Sequence, residues 1–375
     1  MRTVKIITGL GLLLLAGLSI LLVVRTHTKI DLYTYDDKLY IPHEMSGKII
    51  VCSISPEDGK LTIVQKLDLN GASPHTIANS PNTDTLYVAV DNLKTTTGFS
   101  KYGIAIVERE KDGSLKLSAT HPVENAGTQL AVDKTGRYLA AVDYYKSMVS
   151  VYELKGSIYT GKVIQQITSG ITTHDVEFAP HNNAIYVPHT DMNGIYQYRF
   201  DSATGKLSSM QPAFVAGPRT DRKFHKPRHM VMHPSLMMAF TSNEEGGGIS
   251  SWSIDAESGK LGLNETLSTL PEGLEKPASA SDIDITPSGK FIYVANRVFS
   301  KLKIGVEGTV AGFSIDPKTG KLTKNGHFPA CLIVNSIAID SRGQYLYAAC
   351  IDSTVLAYRI DASTGKLHPI TEYEF

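Results

Sequence analysis

Thr286-Pro-Ser-Gly-Lys-Phe-Ile-Tyr-Val-Ala295 reads as a tight turn feeding an apolar strand, and the chain repeats this figure along its length. Proline and glycine punctuate the turn, and the aromatic and β-branched run after it suits a buried strand. The figure returns as Ser80-Pro-Asn-Thr-Asp-Thr-Leu-Tyr-Val-Ala89, Asp133-Lys-Thr-Gly-Arg-Tyr-Leu-Ala-Ala-Val142 and Ala179-Pro-His-Asn-Asn-Ala-Ile-Tyr-Val-Pro188. It returns again as His233-Pro-Ser-Leu-Met-Met-Ala-Phe-Thr-Ser242 and Asp340-Ser-Arg-Gly-Gln-Tyr-Leu-Tyr-Ala-Ala349. With the shortened Asp36-Asp-Lys-Leu-Tyr-Ile-Pro42 at the start, there are seven copies.

A second figure alternates with the first. A glycine-centred hairpin turn of the Asp-Gly-Lys-Leu type stands at 58–61, 112–115, 204–207, 258–261, 319–322 and 364–367, with a weaker version at 160–162. Alternating strands such as Val310-Ala-Gly-Phe-Ser-Ile-Asp316 lead into these turns, and glycine supplies the positive φ they need. Each unit therefore holds about four short strands, and seven such units predict an all-β, seven-bladed propeller with four-stranded antiparallel blades. The propeller takes residues 30–375 as one domain. Residues 30–35 are expected to be the innermost strand of the first blade, so that each blade comes from one contiguous stretch, no strand is shared between the chain ends, and the first and last blades are joined by side-chain packing alone.

Residues 1–29 differ in composition. Arg2 and Lys5 precede an uncharged stretch, 6–24, and Arg25 follows. At about 1.5 Å per residue this hydrophobic helix nearly spans a bilayer core of about 30 Å. It predicts a membrane anchor or signal segment and a membrane-anchored or periplasmic location.

Equal numbers of basic and acidic residues, 37 each, leave no basic surplus for nucleic acid. Three cysteines, Cys52, Cys331 and Cys350, are too few for a disulfide framework and read as small packed hydrophobes. The 12 histidines show no metal-ligand spacing, so neither a metal nor a cofactor is expected.

The repeat also predicts which polar residues meet. Six positions before the turn proline, or the residue in its place, stand His75, Thr128, His174, Arg228, Ser281 and Asn335. Ten positions after it stand Asp91, Tyr144, Thr190, Glu244, Arg297 and Ile351, with Glu44 as the counterpart in the first unit. Both sets belong at one mouth of the central channel. Two arginines, two histidines and several carboxylates converging there make a charge-lined concavity suited to a ligand. A solvated rim with interblade ion pairs is the bland reading of the same residues.

Thr173-His174-Asp-Val-Glu-Phe-Ala-Pro180, Lys226-Pro-Arg228-His229-Met-Val-Met-His-Pro234, Ser242-Asn-Glu244 and Ala280-Ser-Asp-Ile-Asp-Ile-Thr-Pro287 with Val294-Ala-Asn-Arg297 resemble the lactonase family of seven-bladed propellers. That family includes the propeller-type 6-phosphogluconolactonases and the carboxymuconate-lactonising enzyme. The resemblance implies a catalytic set of His174, Arg228, Glu244 and Arg297. Glu44, His75, Asp91, Tyr144, His229 and Asn335 are the expected substrate contacts around it. His229 should point away from Arg228, because neighbours alternate along a strand. Val334-Asn335 and Cys350-Ile351 depart from the family pattern on one side of the mouth.

The expected partner is a small lactone or anionic sugar derivative, hydrolysed by base-activated water with arginine stabilisation of anionic groups. A muconate-type lactonising isomerase and a non-catalytic binding propeller of the cell envelope are the alternatives.

Overall fold

The computed structural model describes residues 30–156, 158–219, 224–273, 278–298 and 308–375. Within them the chain forms seven four-stranded antiparallel sheets, each built from strands consecutive in sequence. The blades span residues 33–68, 73–123, 129–168, 177–216, 225–268, 278–329 and 334–374. The hydrophobic helix expected at 6–24 lies outside the described residues; among those described, no helix is long and apolar enough to cross a membrane.

Sequence pattern explains the layering. The second strand of each blade carries the repeated apolar run. Ala184–His189 and Tyr345–Cys350 are buried along their whole length, sandwiched between neighbouring blades. Outermost strands such as Leu61–Asp68 are largely exposed. The core lies between blades: Ile292, Val294 and Phe313 of blade 6 pack with Phe240 and Ile249 of blade 5.

The glycine turns join the third and fourth strands, and they do a second job. Tyr186 OH donates to Gly259 O of the next blade at 2.7 Å, and Tyr293 OH to Gly365 O at 2.8 Å. A Cβ at Gly365 would collide with the Phe291 ring, so this turn needs glycine for its approach as well as for its φ of 69°. The weak turn at 160–162 is a correction. Gly161 lies inside the strand Ile158–Thr168, within a bulge, and Lys155 pairs with Ile158 around the true turn.

Ring closure follows the contiguous-blade expectation. Tyr33–Tyr35 pairs with the Lys38–His43 strand, Ile30 adds an isolated bridge to His43, and Leu367–Glu374 pairs only within blade 7. The seam has more than packing. Tyr347 OH donates to Gly59 O at 2.8 Å, repeating the clamp used inside the ring. Leu32 N donates to Ser336 Oγ at 3.1 Å, and Asn335 Nδ2 donates to Ile30 O and Asp31 Oδ1 at 3.2 Å each.

Candidate active site

The innermost strands carry a bulge near one end. Register shifts occur between Pro74 and Ile77, Pro227 and Met230, Ala280 and Ile283, and Val334 and Ser336. An extra residue at a bulge breaks the strict up-and-down alternation. Arg228 and His229 both border the central channel, and their side chains part to opposite sides of the strand as the sequence reading expects, Arg228 reaching Ser281 of blade 6 and His229 reaching Asp175 of blade 4.

Glu244 holds the centre of the arginine cluster. Its Oε1 lies 3.4 Å from an Arg297 terminal nitrogen, and its Oε2 lies 3.9 Å from Arg228 Nε. The second distance makes an ion pair but is too long for a hydrogen bond, and Arg228 Nε is a buried donor without one. The other end of Arg228 is fixed, because Nη1 donates to Ser281 O at 2.6 Å. Burial, then the neighbouring Arg228, pull the Arg297 pKa down to about 9 while Glu244 and Asp282 raise it; the group stays charged at neutral pH.

His174 follows Thr173, whose hydroxyl donates to Asp143 O at 2.7 Å. Its ring meets Tyr144 edge-on at 5.6 Å and His229 at 4.8 Å. His229 Nδ1 lies 3.6 Å from Asp175 Oδ2. Asp175 is itself held by the Met230 and Val176 amides at 2.7 and 2.8 Å.

A cavity of about 430 Å³ opens at the mouth, bordered by His174, Arg228, Tyr144, Glu44, His75 and Asp91. Glu44 starts a short 3-10 turn, Glu44–Ser46, whose Ser46 amide donates to His43 Nδ1. His75 Nδ1 is 4.0 Å from Glu44 Oε2; its Nε2 is 3.2 Å from Asp91 Oδ2, close but off the hydrogen-bond axis.

Four of the six expected substrate contacts thus border the cavity. His229 and Asn335 instead line the channel below, about 260 Å³ in volume, and Arg228 borders both spaces. Glu244 and Arg297 reach the cavity through Arg228.

Lys101, Tyr102 and Tyr145 also border the mouth and were missed by the repeat alignment. Lys101 and Tyr102 ride on an overlong hairpin, Thr85–Thr95 with Gly98–Arg109. The extra residues between the apolar run and the Asp112 turn were the available signal. Below the mouth the channel is acidic, with Asp31, Asp175, Glu177, Asp282 and Asp284 among its walls. Asp282 and Asp284 accept from the Ile337 and Ile339 amides and so tie blade 6 to blade 7. Burial pushes Asp284 up to about 7 and Glu177 up to about 8, with Asp282 and Asp175 adding to the respective shifts. Among the described residues no group of His, Cys, Asp and Glu has the geometry of a metal site.

The departing side of the mouth carries a correction. Cys331 and Cys350 are joined in a disulfide, whereas Cys52 is buried and free. Their separation of 19 residues carries no recognisable pattern; the meeting of the blade 6 exit with the second strand of blade 7 brings them together.

A family model described as lactonase, 7-bladed β-propeller, matches residues 32–374. A 6-phosphogluconolactonase of Pectobacterium carotovorum subsp. carotovorum is 30% identical over 340 residues, covering 89% of this chain and 94% of that relative. One from Cronobacter sakazakii is 29% identical over 331 residues, covering 88% and 92%. Among solved structures, a Pseudomonas aeruginosa protein described as a periplasmic gluconolactonase superposes with a TM-score of 0.74 at 18% identity, covering 93% of this chain and 96% of that one. At that identity the likeness speaks for the fold.

Proposed function

The chain belongs to the seven-bladed β-propeller lactonase family, and from that premise we propose that it hydrolyses a sugar lactone or related lactone at the central mouth. The observation that carries the reading is the Arg228 guanidinium, anchored through Nη1 to Ser281 O, on a residue that borders a cavity with His174. A donor held ready in this way suits an oxyanion that forms only during reaction.

In the proposed cycle His174 takes a proton from water, and the hydroxide adds to the lactone carbonyl carbon. Arg228 holds the resulting oxyanion, with Glu244 and Arg297 fixing its guanidinium from behind. Collapse of the tetrahedral species breaks the bond to the ring oxygen, which receives the proton from the His174 imidazolium. The product is the open-chain hydroxy acid, and the histidine ends neutral. The curated relatives bear the name 6-phosphogluconolactonase, which supports a sugar lactone as substrate class.

We also place the protein outside the cytoplasm, carried there by the segment 6–24. The Cys331–Cys350 disulfide supports this, since such bonds persist in oxidising compartments.

The test is acid release from the purified chain with δ-gluconolactone, its 6-phosphate and an acyclic ester of similar polarity. Hydrolysis of a lactone, abolished in His174→Ala and strongly reduced in Arg228→Ala, is the expected result. A chain that binds these lactones without releasing acid would leave a binding propeller instead.

A further inference from the structure

We propose that the Cys331–Cys350 disulfide is a positioning device for Arg297, so that full activity at the mouth requires an oxidised protein. The proposal rests on the lactonase reading for its kinetic part only.

The disulfide closes over a short strap. Cys331 leaves blade 6 and Cys350 ends the second strand of blade 7. The residues between Cys331 and the blade 7 inner strand are wedged between the two blades. Val298 N donates to Leu332 O at 2.9 Å, and Ile333 forms an isolated bridge to Arg297 itself. On the other side Ile351 N donates to Ile333 O at 3.2 Å. Gly308 lies so close beneath that a Cβ there would collide with the Cys331 carbonyl oxygen.

The backbone that presents Arg297 is therefore braced by a strap of three residues, 331–333, and one end of the strap is cross-linked to the neighbouring blade. Arg297 in turn reaches Glu244 at 3.4 Å, and Glu244 reaches Arg228. A displacement of the strap passes along this line to the one guanidinium that borders the cavity. Small displacements at such a donor reduce rate more than they reduce binding. The cross-link sits where the chain departs from its relatives, at Cys350-Ile351. There the Ile351 side chain offers the arginine cluster no polar support of its own.

The experiment compares the full chain oxidised and after treatment with a phosphine reductant. Denatured oxidised protein should expose one maleimide-reactive thiol, Cys52, and reduced protein three. Reduction is expected to lower kcat about five- to tenfold with KM changed less than about twofold. In Arg297→Ala the same treatment should have no further effect, because the residue it positions is already gone. Cys331→Ala/Cys350→Ala should behave like the reduced protein and ignore the reductant. A readout independent of turnover is amide exchange: reduction should speed exchange at Val298 and Ile351 while the blade 3 amides stay unchanged. Three reactive thiols in the oxidised chain would overturn the proposal. So would unchanged exchange at Val298 and Ile351, or an equal loss of activity in Arg297→Ala. If no lactone is hydrolysed, the functional reading fails, and the exchange data still decide whether the disulfide braces the strap.

Discussion

Glu244→Gln separates a structural ion pair from a working one. The substitution keeps size and one acceptor oxygen but removes the charge between Arg228 and Arg297. At 3.9 and 3.4 Å the two pairs are each of order 4–5 kcal/mol at an effective dielectric of about 20. Glu244 keeps 34% of its side chain exposed, so solvent screening removes much of that. A loss of about 1–3 kcal/mol in the positioning of Arg228 is what remains. At about 1.36 kcal/mol per decade this corresponds to a fall in kcat of roughly 5- to 150-fold. The two guanidiniums, left facing one another, also repel, and Arg228 should swing away from its contact with Ser281 O. The assay is steady-state lactone hydrolysis with unfolding followed on the same samples. If Glu244→Gln unfolds normally and keeps kcat/KM within about twofold, Glu244 does not act through Arg228, and the proposed division of roles is wrong.

Three further outcomes follow from the same geometry. Asp284 has a pKa near 7 in the folded chain, above the usual value of about 4, so the fold keeps a proton that the unfolded chain gives up. The contribution of Asp284 to stability is therefore full below about pH 4 and is lost as pH rises towards 7, by less than about 1.4 kcal/mol per pH unit because the carboxyl faces a solvent-reaching channel; Asp284→Asn should remove that component of the pH–Tm curve, and an unchanged curve would count against the assignment. Tyr347→Phe at the seam and Tyr186→Phe inside the ring each remove one buried clamp, costing about 1–2 kcal/mol and roughly 1–3 °C in Tm. Only the seam variant should also speed amide exchange across the whole of blade 7, residues 334–374, and equal exchange in the two would show the seam to be as strong as an inner interface.

The fold was legible because each unit had to repeat two things that physics makes hard to disguise. An inner apolar strand such as Phe291–Val298 needs a continuous buried run, and the hairpin at Gly365 needs a residue that tolerates both a positive φ and the face of Phe291. Counting those sufficed for seven blades and for a register in which Glu244 meets Arg228 and Arg297, and His174 shares a cavity with Arg228. The false turn at 160–162 shows the limit of the method, since Gly161 satisfies a bulge instead of a hairpin. The disulfide was hidden for a different reason: Cys331 lies in the connection from blade 6 and Cys350 ends the second strand of blade 7, and only the packing of that connection against the strand end brings them together.

The inner-strand bulge links fold to function. A regular strand running along the channel would show the axis only every second residue. At the register shift between Pro227 and Met230, Arg228 reaches towards blade 6 and borders both cavity and channel, while His229 turns to blade 4 and packs against His174. The same shift at Ala280 and Ile283 sets Ser281 and Asp282 together: Ser281 O fixes Arg228, and Asp282 ties blade 6 to blade 7. One local irregularity, repeated, therefore stands beside the proposed site in blade 5 and beside the interblade ties in blade 6. Removing it should damage both. Deleting His229 would restore alternation, turn Met230 towards His174 and break the Asp175 contact with the Met230 amide. Such a variant is expected to lose lactone hydrolysis and stability together, whereas His229→Gln, which keeps the bulge, should preserve the fold. If the deletion variant retained activity, the bulge would be incidental to the site.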